Sequence, residues 1–198
     1  MIGFEMAKKE SESLHVLSTQ EWRDWLQQNH TKKQSVWLIQ YKKNSDMPSV
    51  SWSEAVDEAL CFGWIDSTRR PIDEEKYMQY FGKRKANSTW SKVNKEKVEK
   101  LIADGRMTSA GLESIKIAKQ NGSWSILDTV EALIIPDDLE VAFKTTPGSK
   151  DFFLSLSKSA KKNILAWLVL AKRPETRLQR IKETVESAGR KLKPKPLR

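Results

Sequence analysis

The chain has 198 residues with a formal charge of +9, and 38% of its residues are hydrophobic. This length is enough for one ordinary domain, or one domain with a helical extension, without a disulfide to hold it together. The hydrophobic and aromatic content, which includes eight Trp, excludes a disordered chain. The longest apolar run, residues 164–171, is far shorter than a bilayer-spanning helix, which excludes a membrane protein.

The N-terminal part predicts helices and short strands. The polar character of residues 1–16 predicts a flexible leader. This segment lacks the apolar stretch of a signal peptide, so we expect a cytoplasmic protein. Capping boxes that begin at Ser18 and Ser51 predict the starts of two helices. In chain order, we expect a helix at 18–29, a strand at 36–41, a helix at 51–62, and a hairpin of strands at 64–68 and 77–81.

From Ser91 onward the apolar spacing is helical throughout. The last predicted helix begins at Pro174 and directs Leu178, Ile181 and Val185 inward. Residues 191–198 form a basic tail that has no apolar periodicity and, we expect, no core to join. The predicted helices are 91–104, 108–121, a short one from Pro136, 157–172 and 174–189.

These elements predict an α+β fold, with a small antiparallel sheet of about three strands packed on helices, followed by an all-helical C-terminal part. Strands do not alternate with helices along the chain, which argues against a doubly wound parallel sheet. We therefore expect a flexible leader at 1–16, an α+β core domain at 17–125, a helical C-terminal region at 126–190 and a basic tail at 191–198.

The positive charge is concentrated near the C-terminus. Residues 153–198 contain 13 Lys and Arg against 3 Glu, whereas the preceding part of the chain is almost neutral. This asymmetry predicts either a solvated helix face or a surface for an anionic partner, such as an acidic protein or a nucleic acid. For nucleic acid, the candidates are Arg173, Arg177 and Arg180, which share one face of the last predicted helix.

Metal and nucleophile chemistry has few candidates. The chain has one Cys and two His, which excludes an intramolecular disulfide and a Cys-rich zinc site. Cys61 lies near acidic residues at a predicted helix C-terminus, where a thiol is a poor nucleophile, so we interpret it as a packing residue. We therefore predict no metal and no cofactor.

Two clusters predict a ligand site. Strand alternation places Trp64 and Asp66 on one face, an indole beside a carboxylate that needs a partner. The second cluster combines cations, an indole and a predicted helix N-terminus, which together favour an anion. Its candidate residues are Arg84, Lys85, Trp90, Ser91 and Asn94.

Two interpretations of these clusters remain open. In one, Asp66 and Arg84 form an ion pair that stabilises the fold, and Trp90 is a hydrophobic staple. In the other, Asp66, Arg84 and Trp90 lie within one side-chain shell and bind an anionic ligand. A third hypothesis, an enzyme that uses Asp66 and Arg84 on a small acidic substrate, also stays open.

Five segments resemble the bacterial YdeI/OmpD-associated family, also called the bacteriocin-protection family, and they extend over nearly the whole chain from Leu17. The segments are 21–26, 59–67, 84–95, 105–112 and 171–181. Where the family often has Thr-Pro before an Arg-Lys pair, this chain has Gly82 and Lys83. The resemblance implies an α+β domain with a helical C-terminus and a role in stress tolerance, and it implies no catalytic residue.

We therefore expect a protein that binds an anionic small molecule or an acidic protein partner without catalysis, linked to bacteriocin or envelope-stress tolerance. Nucleic-acid binding through the C-terminal helix is the alternative. The sequence does not address the oligomeric state.

Overall fold

The fold is that of a computed structural model, which describes residues 12–42 and 45–197. The chain folds into two compact units. The first comprises the described residues up to Ser88 together with Val93–Asn121, and the second comprises Thr89–Lys92 and Gly122 onward. The architecture is α+β with an all-helical C-terminal part, as the sequence predicts.

The first unit contains a mixed four-stranded sheet. Its strand order is β1-β2-β4-β3, with β1 parallel to β2 and the other neighbours antiparallel. The elements up to residue 121 are β1 (Ser13–His15), α1 (Thr19–Asn29), β2 (Ser35–Tyr41), α2 (Trp52–Cys61), β3 (Trp64–Pro71), β4 (Lys76–Lys83), α3 (Lys92–Ala103) and α4 (Ser109–Gln120).

The strand count differs from the predicted three because of β1. Residues 1–11 of the predicted flexible leader lie outside the described residues, and Ser13–His15 pair with β2. Three residues are too few to show strand periodicity, and a parallel pair has no connecting turn to mark it. The predicted hairpin is confirmed and is longer than expected, since β3 extends to Pro71 and β4 to Lys83.

One face of the sheet carries the core of the first unit. Side chains along β2 and β4 alternate between buried and half-buried, the pattern of a sheet with one face covered. On the buried face, Trp22 of α1 packs its ring 5.3 Å from that of Phe81 and donates its indole N–H to the Ala55 carbonyl of α2. This side of the sheet therefore packs on α1 and α2.

The second unit is helical and has its own apolar core. The core side chains include Leu139, Phe143, Phe153, Ile164 and Leu165, each almost fully buried. From residue 122 its elements are α5 (Asp128–Glu131), α6 (Asp137–Lys144), α7 (Ser149–Ser155), α8 (Lys158–Val169), α9 (Pro174–Gly189) and a 3-10 turn, Lys195–Leu197. In the part of the chain that the structure describes, no helix has the length and apolar character needed to cross a bilayer.

The inward face of α9 differs from the prediction at one position. Ile181 and Val185 are buried, but Leu178 is 70% exposed. One turn before Ile181, the position on the buried face belongs to Arg177, which donates to the Leu168 carbonyl oxygen at 3.0 Å and binds Asp138. These polar contacts of Arg177 fix the rotation of the helix, and Leu178 faces solvent as a result.

The basic tail, predicted to have no core to join, packs on the second unit. Pro194 is buried, and Leu197 is half-buried against the apolar core. The Lys195 N–H also donates to the Glu183 carboxylate at 3.2 Å. The tail therefore contributes apolar surface and a hydrogen bond to this unit.

We expect deletion of residues 191–198 to lower the thermal midpoint by several degrees, because it exposes the core surface that Leu197 covers. Calorimetry of the truncated and full chains measures this shift. Leu197→Ser should reproduce part of the loss, and Leu192→Ser, at a side chain that is 52% exposed, is the matched control. An unchanged midpoint after truncation would show that the tail adds no stability.

Candidate functional site

The candidate site is built where α2 ends and β3 begins. Gly63 ends the helix with a positive φ of 71°, a conformation that glycine adopts without a steric penalty. Its carbonyl oxygen accepts a hydrogen bond from the Arg84 N–H at 2.9 Å. The residue that follows β4 therefore lies beside the start of β3, which brings Arg84 close to Trp64.

A groove of about 430 Å³, here called the Arg84 groove, opens at this point. Aromatic side chains line part of it, three consecutive cations line another part, and α4 contributes a carboxylate. These residues are Phe62, Trp64, Lys83, Arg84, Lys85 and Glu113. The groove thus combines an apolar wall with a cluster of positive charge, a combination suited to an anion on an apolar body.

Arg84 is the most deeply placed cation of this groove. Burial lowers the pKa of its guanidinium to about 10, and the negative charge of Asp66 opposes that shift. The group still carries its proton at neutral pH, because a pKa of about 10 lies well above 7. A largely buried positive charge therefore lines the Arg84 groove under physiological conditions.

Asp66 lies on β3, directly opposite Phe81 of β4. Its carboxylate accepts hydrogen bonds from the indole N–H of Trp52 at 2.8 Å and from the amide of Gln79 at 3.2 Å. Asp66 also lines a second groove, of about 790 Å³, together with Arg84 and Lys85. Arg84 and Lys85 therefore line both grooves, and Trp64 and Asp66 each line one of them.

The other three predicted ligand residues are placed differently. Trp90 is buried and belongs to the second unit, where its ring lies 5.0 Å from that of Trp124. Ser91 also belongs to the second unit, whereas Asn94 lies on α3 in the first. A shared shell for Asp66, Arg84 and Trp90 stays a prediction.

The three basic residues of the alternative nucleic-acid surface have different environments. Arg173 is exposed at the start of α9. Arg177 forms a two-point ion pair with Asp138, with contacts of 2.6 and 2.8 Å. Arg180 donates to the Trp167 carbonyl oxygen, and its guanidinium lies 5.0 Å from the centre of that residue's ring. Arg177 and Arg180 therefore have structural contacts within the second unit.

The first unit also contains a buried ion cluster that was not predicted from the sequence. The Glu58 side chain is only 3% exposed and contacts both Arg23, at 2.6 Å, and Arg106. Burial alone would lower the pKa of each arginine, but hydrogen bonding and attraction to Glu58 raise it overall. The signal was present on α2, because Glu58 shares a face with the apolar residues Ala55 and Phe62 and so needs a cation.

Cys61, next to this cluster, is buried, and burial raises the pKa of its thiol, with Glu58 adding to the shift. A thiol held in its neutral form is a weak nucleophile, which agrees with the packing role that the sequence predicts. Within residues 12–42 and 45–197, no group of three or more His, Cys, Asp or Glu side chains is arranged to hold a metal ion.

Two family models match separate parts of the chain. One, described as a domain of unknown function (DUF8412), matches residues 14–114. The other, described as bacteriocin-protection, YdeI or OmpD-associated, matches residues 132–191. The resemblance seen in the sequence is thus confirmed for the C-terminal part, and the N-terminal part matches a different family. No curated protein and no solved structure matches the chain.

Proposed function

Since the chain belongs to the DUF8412 family and carries a bacteriocin-protection, YdeI or OmpD-associated domain, we propose that it is a binding protein of bacterial stress tolerance. Its ligand is a small anion-bearing molecule, bound in the Arg84 groove without catalysis. The single observation that carries the proposal is the Arg84 guanidinium, held in the groove with a lowered pKa and with Lys83 and Lys85 beside it.

The chemistry of the groove favours a particular ligand class. A guanidinium presents paired N–H donors that match a carboxylate or a phosphate, and the partial exclusion of water strengthens that pairing. Phe62 and Trp64 provide apolar surface beside the charge. We therefore infer a carboxylate or phosphate group carried on an apolar body.

The energetics of Arg84 also support a ligand. Burial makes its charged form less favourable than in water, a cost to the fold that a bound anion would offset. Groups kept for binding commonly reduce stability in this way. We therefore expect removal of the charge to leave the ligand-free fold intact and to abolish anion binding.

The decisive variant is Arg84→Met. In buffer without oxyanions, we expect it to melt at or above the temperature of the unmodified protein. Phosphate and sulfate should raise the midpoint of the unmodified chain in a concentration-dependent way, with chloride at equal ionic strength as the reference. Scanning calorimetry or dye-based melting measures both quantities.

Sulfate stabilises most proteins through exclusion from their surfaces, so the difference between variants is the informative quantity. Lys100→Gln, at an exposed side chain of α3, removes one charge as the matched control and should keep the full oxyanion response. If Arg84→Met instead lowers the midpoint by many degrees, an ion pair of Arg84 with Asp66 that stabilises the fold is the better interpretation.

The role in bacteriocin or envelope-stress tolerance draws its support from the description of the C-terminal family alone. Survival of a bacterial strain lacking the gene, under bacteriocin challenge, tests that role. The unmodified gene should restore tolerance and the Arg84→Met variant should not. Equal restoration by both would separate tolerance from anion binding in the groove.

A further inference from the structure

The second face of the four-stranded sheet has a composition unlike the core face. Alternation places Trp37 and Ile39 of β2 on this face, opposite Tyr80 and Met78 of β4. All four side chains are half-buried, whereas the intervening residues Val36 and Leu38 are fully buried. The outer sheet face, defined by Trp37, Ile39, Met78, Tyr80 and Arg70, thus presents aromatic and apolar side chains that remain partly accessible to solvent.

Two rings form the centre of this face. Trp37 and Tyr80 are directly opposite each other on neighbouring strands, and their ring centres lie 5.0 Å apart at an interplanar angle of 73°. Neighbouring strands hold such a pair at a fixed spacing with little conformational freedom. A rigid pair of rings on a sheet provides stacking surfaces that need no ordering on binding.

A cation accompanies the rings. The guanidinium of Arg70, an exposed residue of β3, lies 4.8 Å from the centre of the Trp37 ring. When a guanidinium stacks on a ring, its N–H groups point outward in its own plane, so they can still bind a phosphate. Lys76 lies at the end of this face but is paired with Asp73 at 3.2 Å, so Arg70 is the better phosphate contact.

We propose that the outer sheet face binds single-stranded nucleic acid, with Trp37 and Tyr80 stacking on unpaired bases and Arg70 contacting the backbone phosphates. Partly accessible rings and a cation on one sheet face suit single-stranded nucleic acid, because every unpaired base offers a flat surface to stack on. A duplex keeps its bases stacked internally and gains nothing from these rings. The exposed Arg70 side chain gives this face a positive charge, which favours the approach of a polyanion.

The test is fluorescence anisotropy with a labelled oligothymidylate of about 12 nucleotides, a length within the range of one such binding surface. At low salt we expect binding that weakens steeply as salt rises, because each phosphate contact releases counterions. A duplex of the same length should bind at least about tenfold more weakly. Trp37→Ala and Tyr80→Ala should each weaken single-strand binding by about tenfold.

Arg70→Gln changes an exposed side chain outside the core, so it tests the surface even if an aromatic variant fails to fold. It should weaken binding and reduce its salt dependence. Arg173→Gln, at the exposed start of α9, is the charge-matched control and should bind like the unmodified chain. Arg70 does not line the Arg84 groove, so Arg70→Gln should keep the stabilisation by phosphate and sulfate, and failure of the anion groove can be told apart from failure of this surface.

Three results would overturn the proposal. The first is absence of single-strand binding at low salt, and the second is equal affinity for the duplex. The third is a loss of binding in Arg173→Gln that Arg70→Gln does not share, which would assign the binding to the C-terminal helix.

Discussion

Replacement of Gly111 by alanine is expected to lower the free energy of unfolding by about 2–3 kcal/mol. Gly111 lies in α4, where its backbone packs against the end of α2. A methyl group there would lie 2.8 Å from the Cys61 carbonyl carbon, closer still to its oxygen, and 2.7 Å from the Met107 methyl. Met107 has a flexible side chain, but the Cys61 carbonyl is backbone.

The backbone contact cannot relax cheaply, because Thr108 holds the same carbonyl oxygen with two hydrogen bonds. Its N–H donates at 3.1 Å and its hydroxyl at 2.6 Å. Moving the Cys61 carbonyl away from a new methyl group would weaken both hydrogen bonds. The cost of Gly111→Ala therefore combines steric overlap with the loss of polar contacts.

The expected sign of the change in unfolding free energy distinguishes this prediction from the usual effect of a glycine-to-alanine substitution. In an unobstructed helix, alanine is more stable than glycine by about 1 kcal/mol, so without the Cys61 contact the variant would gain stability. Urea unfolding measures the difference, with Ser109→Ala, an exposed substitution in the same helix, as the control. A Gly111→Ala variant more stable than the unmodified protein would show that the two helices are not so closely packed.

The buried ion cluster predicts the second large effect. We expect Arg23→Met to lower the free energy of unfolding by about 3 kcal/mol, because it leaves the buried Glu58 carboxylate with Arg106 as its remaining ion-pair partner. Arg23 also donates to the Arg106 carbonyl oxygen at 2.9 Å and lies over the Phe62 ring. The variant loses these contacts as well.

A double-mutant cycle separates the charge from the packing. Arg23→Met combined with Glu58→Met removes the buried carboxylate, so we expect the pair to be more stable than Arg23→Met alone. Glu113→Gln breaks an exposed ion pair with Lys116 in the same unit and should cost less than about 1 kcal/mol. A double variant less stable than Arg23→Met would show that Glu58 stabilises the fold independently of that pair.

Local sequence patterns predicted much of the fold. The capping box at Ser51 forms as predicted, with Glu54 and Ser51 each accepting a hydrogen bond from the other's backbone N–H. At the first helix the Ser18 hydroxyl caps as predicted, but the Glu21 carboxylate accepts from the Leu17 N–H. The β-branched and aromatic residues at 36–41 predicted a strand, and the structure forms it as β2 with nearly the same bounds.

The features that the sequence did not predict share one cause, because each depends on contacts between residues distant in sequence. The Leu178 error reflects the contact of Arg177 with Asp138, 39 residues earlier, which no helical period reveals. For the site, adjacency of the β3 and β4 ends follows from the predicted hairpin, and it places Arg84 beside Trp64. No sequence pattern shows that Trp90 packs on Trp124 in a separate unit.

That separate packing of Trp90 has an evolutionary consequence. The segment Thr89–Lys92 belongs to the second unit, yet it lies inside the stretch that matches the N-terminal family. A recombination breakpoint between residues 114 and 132 would transfer Trp90 without Trp124, its ring partner, wherever it fell before residue 124. The two family segments therefore cannot be exchanged independently. A gene fusion that replaces one of them must keep compatible residues at both positions 90 and 124.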